Sequence, residues 1–249
     1  MMRRAAPIWT LLCALAILIA QAAPSRAEMF GPIAGNVYGS GQDALVLVLH
    51  GDHSSGYITQ FAVDVARNNP QATVIHMARP GYSLSGGQHS KGSNNGRRDH
   101  YTRRNNMLLA EGIAAARQRF PNRRLIAFGH SGGGNQIGVV VGRSPGLIDT
   151  AIMMSTPFDV GRWRSYRGQS WGKSESPVKF LPKVPRSTRL IAATGDGDSN
   201  TVPSLARSYV KKAQSLGLNA TFIEIPNANH GFKTLHQPAL VLVTQEIRQ

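Results

Sequence analysis

A serine, a pair of aspartates and a histidine each follow an apolar run in this sequence. Gly129-His130-Ser131-Gly132-Gly133 comes after the apolar residues 125–128 and before a breaker-poor stretch at 135–141. Strand, tight turn and helix in that order present a serine hydroxyl on strained backbone, clear of the sheet. Gly129 and Gly133 remove side chains that would collide at so sharp a turn, and the Gly132 amide is left to face a developing oxyanion. Gly195-Asp196-Gly197-Asp198 follows residues 190–194, and Asn229-His230-Gly231-Phe232 follows residues 220–225 by a short loop. A serine hydroxyl becomes an effective nucleophile once a neighbouring base takes its proton. A neutral imidazole does this near neutral pH and later protonates the leaving group, while a carboxylate orients the ring. The same glycine-rich turn also suits a serine that merely caps a helix. Its chemistry depends on what the fold brings beside it.

The elements that must do so are legible as alternating patterns. Residues 44–50 (Ala-Leu-Val-Leu-Val-Leu-His) form the near-continuous apolar run of a central parallel strand covered on both faces. Residues 73–77, 125–128, 148–154, 190–194 and 220–225 read as further strands, with a weaker edge strand at 33–38. Helical spacing is expected over 60–67, 107–120, 205–215 and 235–248. This alternation argues for an α/β fold with an open, mainly parallel sheet and helices on both faces. There is no internal repeat and no linker, so residues 28–249 are expected to form a single domain. Two polar, basic insertions interrupt it, at 84–106 and 158–189. Ligands of such sheets sit beyond the carboxyl ends of strands, where all three reactive types fall.

The elbow pattern, with serine, acid and histidine in that order, resembles the α/β-hydrolase superfamily, in particular its serine esterases and lipases. The resemblance covers the chain from about residue 44 to the C-terminus. It implies an α/β-hydrolase fold in which residues 158–189 make a small cap. It also implies Ser131 as nucleophile, His230 as base and Asp198 as orienting acid. The superfamily often shows Gly-x-x-Asp shortly before Val-Pro. Asp198 is in register ahead of Val202-Pro203, but the gap is one residue longer than expected, so Asp196 stays as a rival. His50-Gly51 resembles the superfamily's oxyanion loop, which would make the Asp52 amide the second donor beside Gly132. Arg79-Pro80-Gly81-Tyr82-Ser83 is similar to a common superfamily loop and is expected to be structural or pocket-lining. Trp163, Tyr166 and Trp171 are candidates for lining an acyl pocket. The implied reaction is cleavage of a carboxylic ester through an acyl-Ser131 intermediate resolved by water. A peptidase, thioesterase or acyltransferase on the same fold is the alternative. A non-catalytic envelope-binding protein using its basic face is a reading from another class.

Composition bounds the partners. Residues 1–4 are basic, residues 8–20 almost wholly apolar, and Ala22, Ala23 and Ala27 offer small-residue cleavage points. That is the pattern of a secretory signal peptide over residues 1–27, with cleavage after Ala27 or, in competition, after Ala22. A periplasmic or secreted protein is expected. The one cysteine, Cys13, would leave with the signal, which excludes disulfides, a thiolate nucleophile and cysteine metal sites from the mature chain. Asp196-Gly197-Asp198-Ser199-Asn200 resembles the start of a calcium loop, but Thr201 and Arg207 stand where Gly and Glu are needed. His50 and His53 lack a third ligand nearby. No metal or cofactor is expected. The net charge of +15 concentrates in the two insertions, with Arg97, Arg98, Arg103 and Arg104 in the first and Arg162, Arg164 and Arg167 in the second. Such surfaces suit anionic partners. These are a small-molecule ester that is itself anionic, or an anionic envelope surface. No nucleic-acid-binding motif accompanies the charge, and no later segment is apolar enough for a membrane span.

Overall fold

Along β3 (Ala44–Leu49) every residue is buried, and the side chains divide by parity between two cores. Leu45, Leu47 and Leu49 enter one core, and Ala44, Val46 and Val48 the other. A strand apolar on both faces is stable only when helices cover both. The computed structural model describes residues 26–121 and 123–249. Its sheet has eight strands in the order β1-β2-β4-β3-β5-β6-β7-β8. The remaining strands are β1 (Arg26–Phe30), β2 (Ile33–Tyr38), β4 (Ala72–Met77), β5 (Arg124–His130), β6 (Thr150–Met154), β7 (Arg189–Gly195) and β8 (Ala220–Ile225). β3 to β8 pair in parallel, while β1 and β2 add an antiparallel edge. Helices α1 (Thr59–Asn68) and α6 (Phe232–Ile247) cover one face through Phe61, Val65, Leu235 and Val243. Helices α2 (Arg103–Arg119), α3 (Gly132–Arg143) and α5 (Pro203–Ser215) cover the other through Ile113, Ile137 and Tyr209. The fold is that of an α/β-hydrolase.

Three expectations shift. The strand at 33–38 is not the edge, because β1 pairs outside it. Arg26 and Ala27 are the first residues of β1 and pair with Val37 and Asn36. Cleavage after Ala27 would shorten that strand, whereas cleavage after Ala22 would leave it whole. The rest of the signal reading, residues 1–25, lies outside the described residues. Helix α2 starts four residues before the expected 107, because Thr102 caps it by accepting the Asn105 amide at 3.3 Å.

The two basic insertions are stapled together above the sheet. Thr102 and Ser174 form a bridge, and the Glu175 amide donates to the Tyr101 carbonyl at 2.9 Å. Asn106 Nδ2 reaches the Tyr101 carbonyl at 3.0 Å and Glu175 Oε2 at 2.9 Å. The cap segment also contains a short helix, α4 (Val160–Ser165), whose Val160 and Trp163 pack with Tyr101 and Leu205. Among the described residues no helix is long and apolar enough to cross a membrane.

β4 buries a histidine in register with Val48 of β3 and Asn36 of β2. His76 is 1% exposed, and burial pushes its imidazole down to about 4. The unfolded chain takes up this proton near the ordinary value of 6.5, the folded chain only near 4. Across that window the unfolded state binds more protons, so stability falls as the pH drops. The loss from this one group amounts to about 3 kcal/mol. Urea unfolding should show a midpoint well lower at pH ~4.5 than at pH ~7, and His76→Leu should flatten that fall. An unchanged slope in the variant would assign the acid lability elsewhere.

Candidate active site

Ser131 sits between β5 and α3 with φ +53° and ψ −117°, a conformation that L residues rarely adopt. Its amide is held by the Met154 carbonyl of β6 at 2.8 Å. The turn is closed by contacts that no side chain would allow. A Cβ on Gly129 would lie 2.5 Å from the Gly133 carbonyl carbon, and one on Gly133 would lie 2.6 Å from the His50 carbonyl oxygen. The end of β3 is thereby pressed against the start of α3.

The structure brings Asp198, His230 and Ser131 into one hydrogen-bonded line. Asp198 Oδ2 lies 2.9 Å from His230 Nδ1, and His230 Nε2 lies 3.1 Å from Ser131 Oγ. Asp198 is 2% exposed just after β7, and its Oδ1 accepts the amides of Asn200 and Thr201, each at 2.8 Å. The Thr201 hydroxyl donates to Oδ2 at 2.8 Å. Burial alone would raise the Asp198 pKa. The His230 hydrogen bond and charge, with the Thr201 donors, outweigh it and hold the carboxyl well below the usual range. Asp196 is turned away and accepts the Asn227 amide at 3.1 Å. The longer gap before Val-Pro is absorbed by the turn in which Asp198 collects those amides.

Gly132 opens α3, so its N–H has no partner within the helix. Among the described residues the Asp52 amide also has none. Gly51 brings that loop against Ser131, since a Cβ there would lie 3.1 Å from Ser131 Cβ. The Asp52 side chain packs over Gly132 so closely that a Cβ on Gly132 would fall 2.1 Å from Asp52 Oδ1. Two free amides beside a serine can receive a developing oxyanion. A carboxylate in the same loop would repel that charge if left unpaired.

Arg79 pairs it. This residue, 0% exposed at the end of β4, donates from Nη1 to Asp52 Oδ1 at 2.9 Å and to the His50 carbonyl at 3.2 Å. Its Nε reaches Gln136 Oε1 at 2.7 Å, and its Nη2 reaches His100 Nε2 at 3.1 Å. The guanidinium lies 5.3 and 5.5 Å from the rings of Tyr82 and Tyr101. Tyr101 also donates to Asp52 Oδ2 at 2.5 Å. Burial would raise the Asp52 pKa. His100, the Arg79 charge and the Tyr101 hydroxyl together hold it well below the usual range.

A second relay passes under the serine. The Gly51 amide donates to the Tyr57 hydroxyl at 2.5 Å, and that hydroxyl donates to His130 Nδ1 at 2.7 Å. His130 Nε2 then donates to the His230 carbonyl at 3.1 Å. Burial and the nearby His230 push His130 down to about 3, so it remains the neutral link this chain requires. The sequence sets His130 next to Ser131 within the elbow motif, but it reveals neither Tyr57 nor the Arg79 contacts. Nothing local in the sequence ties Arg79 to Asp52 and His100.

A cavity of about 840 Å³ opens over Ser131 and His230, walled in part by Tyr57, Trp163 and Phe232. Trp163 is buried and anchored by Nε1 to the Asn200 carbonyl at 2.9 Å. Trp171 lies behind it, packed on Trp163, His100 and Tyr101. Tyr166 is 57% exposed, bonded to Arg162, and outside the cavity wall. Among the described residues no group of three or more His, Cys, Asp or Glu is placed to hold a metal ion.

Sheet order and elbow define the class as an α/β-hydrolase. Residues 102–242, more than half of the chain, match the prolyl oligopeptidase family, and the chain belongs to it. No curated protein matches the chain in sequence. Among solved structures, the acylaminoacyl peptidase of Pyrococcus horikoshii is 12% identical with a TM-score of 0.67, over 91% of this chain but only 41% of the peptidase. Est1E of Butyrivibrio proteoclasticus, also solved with ferulic acid bound, is 14% identical with a TM-score of 0.60, over 90% of this chain and 99% of its own. A thioesterase domain from the curacin biosynthetic pathway is 14% identical with a TM-score of 0.62, over 91% of this chain and 99% of its own. These likenesses establish the fold.

Replacing Arg79 by Met should leave the Asp52 carboxylate uncompensated and cost about 3–5 kcal/mol of stability in urea unfolding. Arg79→Met combined with Asp52→Asn should recover part of that loss. Equal destabilisation in the single and double variants would show that Arg79 acts by packing alone.

Proposed function

We propose that the protein is an exported serine hydrolase that cleaves a carboxylic ester. The continuous Asp198–His230–Ser131 line, at 2.9 and 3.1 Å on a strained elbow, carries this reading. Ser131 Oγ adds to the ester carbonyl carbon while its proton passes to His230 Nε2. The Gly132 and Asp52 amides receive the charge that develops on the carbonyl oxygen, and Asp198 stabilises the imidazolium through Nδ1. His230 then protonates the departing alkoxide, which leaves acyl-Ser131. Water, deprotonated by His230, attacks the acyl carbon and releases the acid and the free serine. Arg79 acts as a positioning residue, since it fixes the loop that carries Asp52 and cancels that residue's charge. Export rests on the basic start, apolar stretch and small-residue cleavage points of residues 1–27.

A peptidase is the second reading, favoured by the family to which residues 102–242 belong. Amides demand protonation of a poorer leaving group, so the same machinery serves them only where the cavity also holds the amine side. Turnover of 4-nitrophenyl acetate against aminoacyl 4-nitroanilides separates the two readings.

Native protein should label with a fluorophosphonate at Ser131, and Ser131→Ala and His230→Ala should not. Asp198→Asn should lower kcat on 4-nitrophenyl acetate by roughly a hundredfold or more, and Asp196→Asn should leave it near the native value. A folded, unlabelled native protein would overturn the reading, and a reversed pattern for the two aspartates would reassign the acid.

A further inference from the structure

The cavity over Ser131 is charged well beyond what ester cleavage demands. Arg97 and Arg98 from the first insertion, Arg164 and Arg167 from the second, and Lys233 from α6 line it together with Ser131. The carboxylate in that wall, Asp52, is already engaged by Arg79 and Tyr101. Among the described residues none of these five cations is ion-paired. Asp99, adjacent in sequence, instead accepts the Lys173 amide with both oxygens, at 3.2 and 3.1 Å.

Two of the arginines are displayed at a structural cost. Arg164 is held between Trp163 and Trp171, its guanidinium carbon 3.6 Å from each ring centre. Nη1 donates to Gln169 Oε1 at 3.0 Å, while Nε is buried without a partner. A fork clamped in this way has little rotamer freedom left to lose on binding. Arg97 adopts φ +65°, in a loop where Asn94 accepts the Gly96 amide at 3.2 Å and Asn95 Nδ2 donates to the Arg98 carbonyl at 2.9 Å. Strain of this kind persists where surrounding contacts over-determine it, often beside a functional surface. Arg103 and Arg104, from the same basic run, lie on α2 and line other surface hollows. The cationic mouth is therefore a selection of the basic residues rather than their sum.

We propose that the substrate is an anionic ester, bearing a carboxylate or phosphate away from the scissile bond, and that Arg97, Arg98, Arg164 and Arg167 bind that group. Guanidinium forks pair bidentately with both anions. A cleft walled by one sign of charge also concentrates such a ligand near the serine. The chemistry rests on the serine-hydrolase reading; the binding does not. The experiment is therefore run on Ser131→Ala protein, which cannot form the acyl-enzyme.

Calorimetry would compare mono-4-nitrophenyl glutarate with 4-nitrophenyl pentanoate, which replaces the terminal carboxylate by a methyl group. Phenyl phosphate supplies the phosphate arm, with phenol as its neutral control. At least one anion should bind tenfold or more tightly than its neutral counterpart, and added salt should weaken it. Arg97→Gln, Arg98→Gln, Arg164→Gln and Arg167→Gln combined should bring the ratio to within about threefold. Equal binding of anionic and neutral probes, or a preference that survives the four substitutions in protein with native circular dichroism, would overturn the proposal. Loss of fluorophosphonate labelling in native protein would overturn only the serine chemistry.

Discussion

A guanidinium with no access to water must find all its partners inside the protein, and Arg79 finds them in three separate parts of the chain. Gln136 belongs to α3, the His50 carbonyl and Asp52 to the loop after β3, and His100 to the first insertion. Removing any one of these would leave a buried donor or charge unpaired. The polar layer above the sheet is therefore cooperative in a way the apolar core is not. A core residue can shift slightly and keep much of its contact, but a forked set of hydrogen bonds weakens steeply once its angles depart from the preferred geometry. The loop that presents the Asp52 amide is held by such a set.

The elbow and the Arg79 cluster depend on one another. Ser131 keeps a positive φ because β5, β6 and the end of β3 confine the turn, and Gly133 lets the His50 carbonyl approach. That same carbonyl accepts from Arg79. From the other side, Gly51, Tyr57 and His130 run a hydrogen-bonded chain to the backbone of His230. Ser131, the Gly51–Asp52 loop and His230 are thus tied through side chains that stand behind them. In the proposed mechanism such positioning matters, because a proton transfer over 3.1 Å would fail if Ser131 and His230 drifted apart.

What the sequence shows and what it hides follow from range. β3 and β5 are legible because each is a short apolar run that must be covered on both faces. Ser131 is legible because strand, turn and helix are contiguous. β1 is hidden because Arg26-Ala27-Glu28-Met29-Phe30 has no alternating pattern and follows closely on the apolar run of residues 8–20. The start of α2 is hidden because Asn105 and Asn106 read as surface residues, yet both are buried and satisfied by backbone carbonyls. Arg79 and Tyr57 meet partners across the fold, and no local pattern encodes that. The aromatic residues of the cap show the same limit, since their types could not say that Trp163 faces the cavity while Tyr166 faces out.

The division of labour between sheet and insertions has a physical reason. A sheet buried on both faces can present chemistry only at its strand ends, so recognition must be built from segments laid over those ends. Here the two insertions lie over those ends, joined through Tyr101, Asn106, Ser174 and Glu175. Arg143 pairs with Glu175, which ties the joint down to α3. The three acids of these insertions are each used internally: Glu175 holds Asn106 and Arg143, Asp99 holds the backbone of Lys173, and Asp159 caps α4 by accepting the Arg162 amide. Spending the carboxylates on internal fastening leaves the arginines at the mouth without internal counter-charge. Their mutual repulsion is a standing cost of the unliganded protein, and an anion entering the cavity would remove it. Charge left uncompensated on a rigid frame is a form of preorganisation, because binding need not first break an internal ion pair.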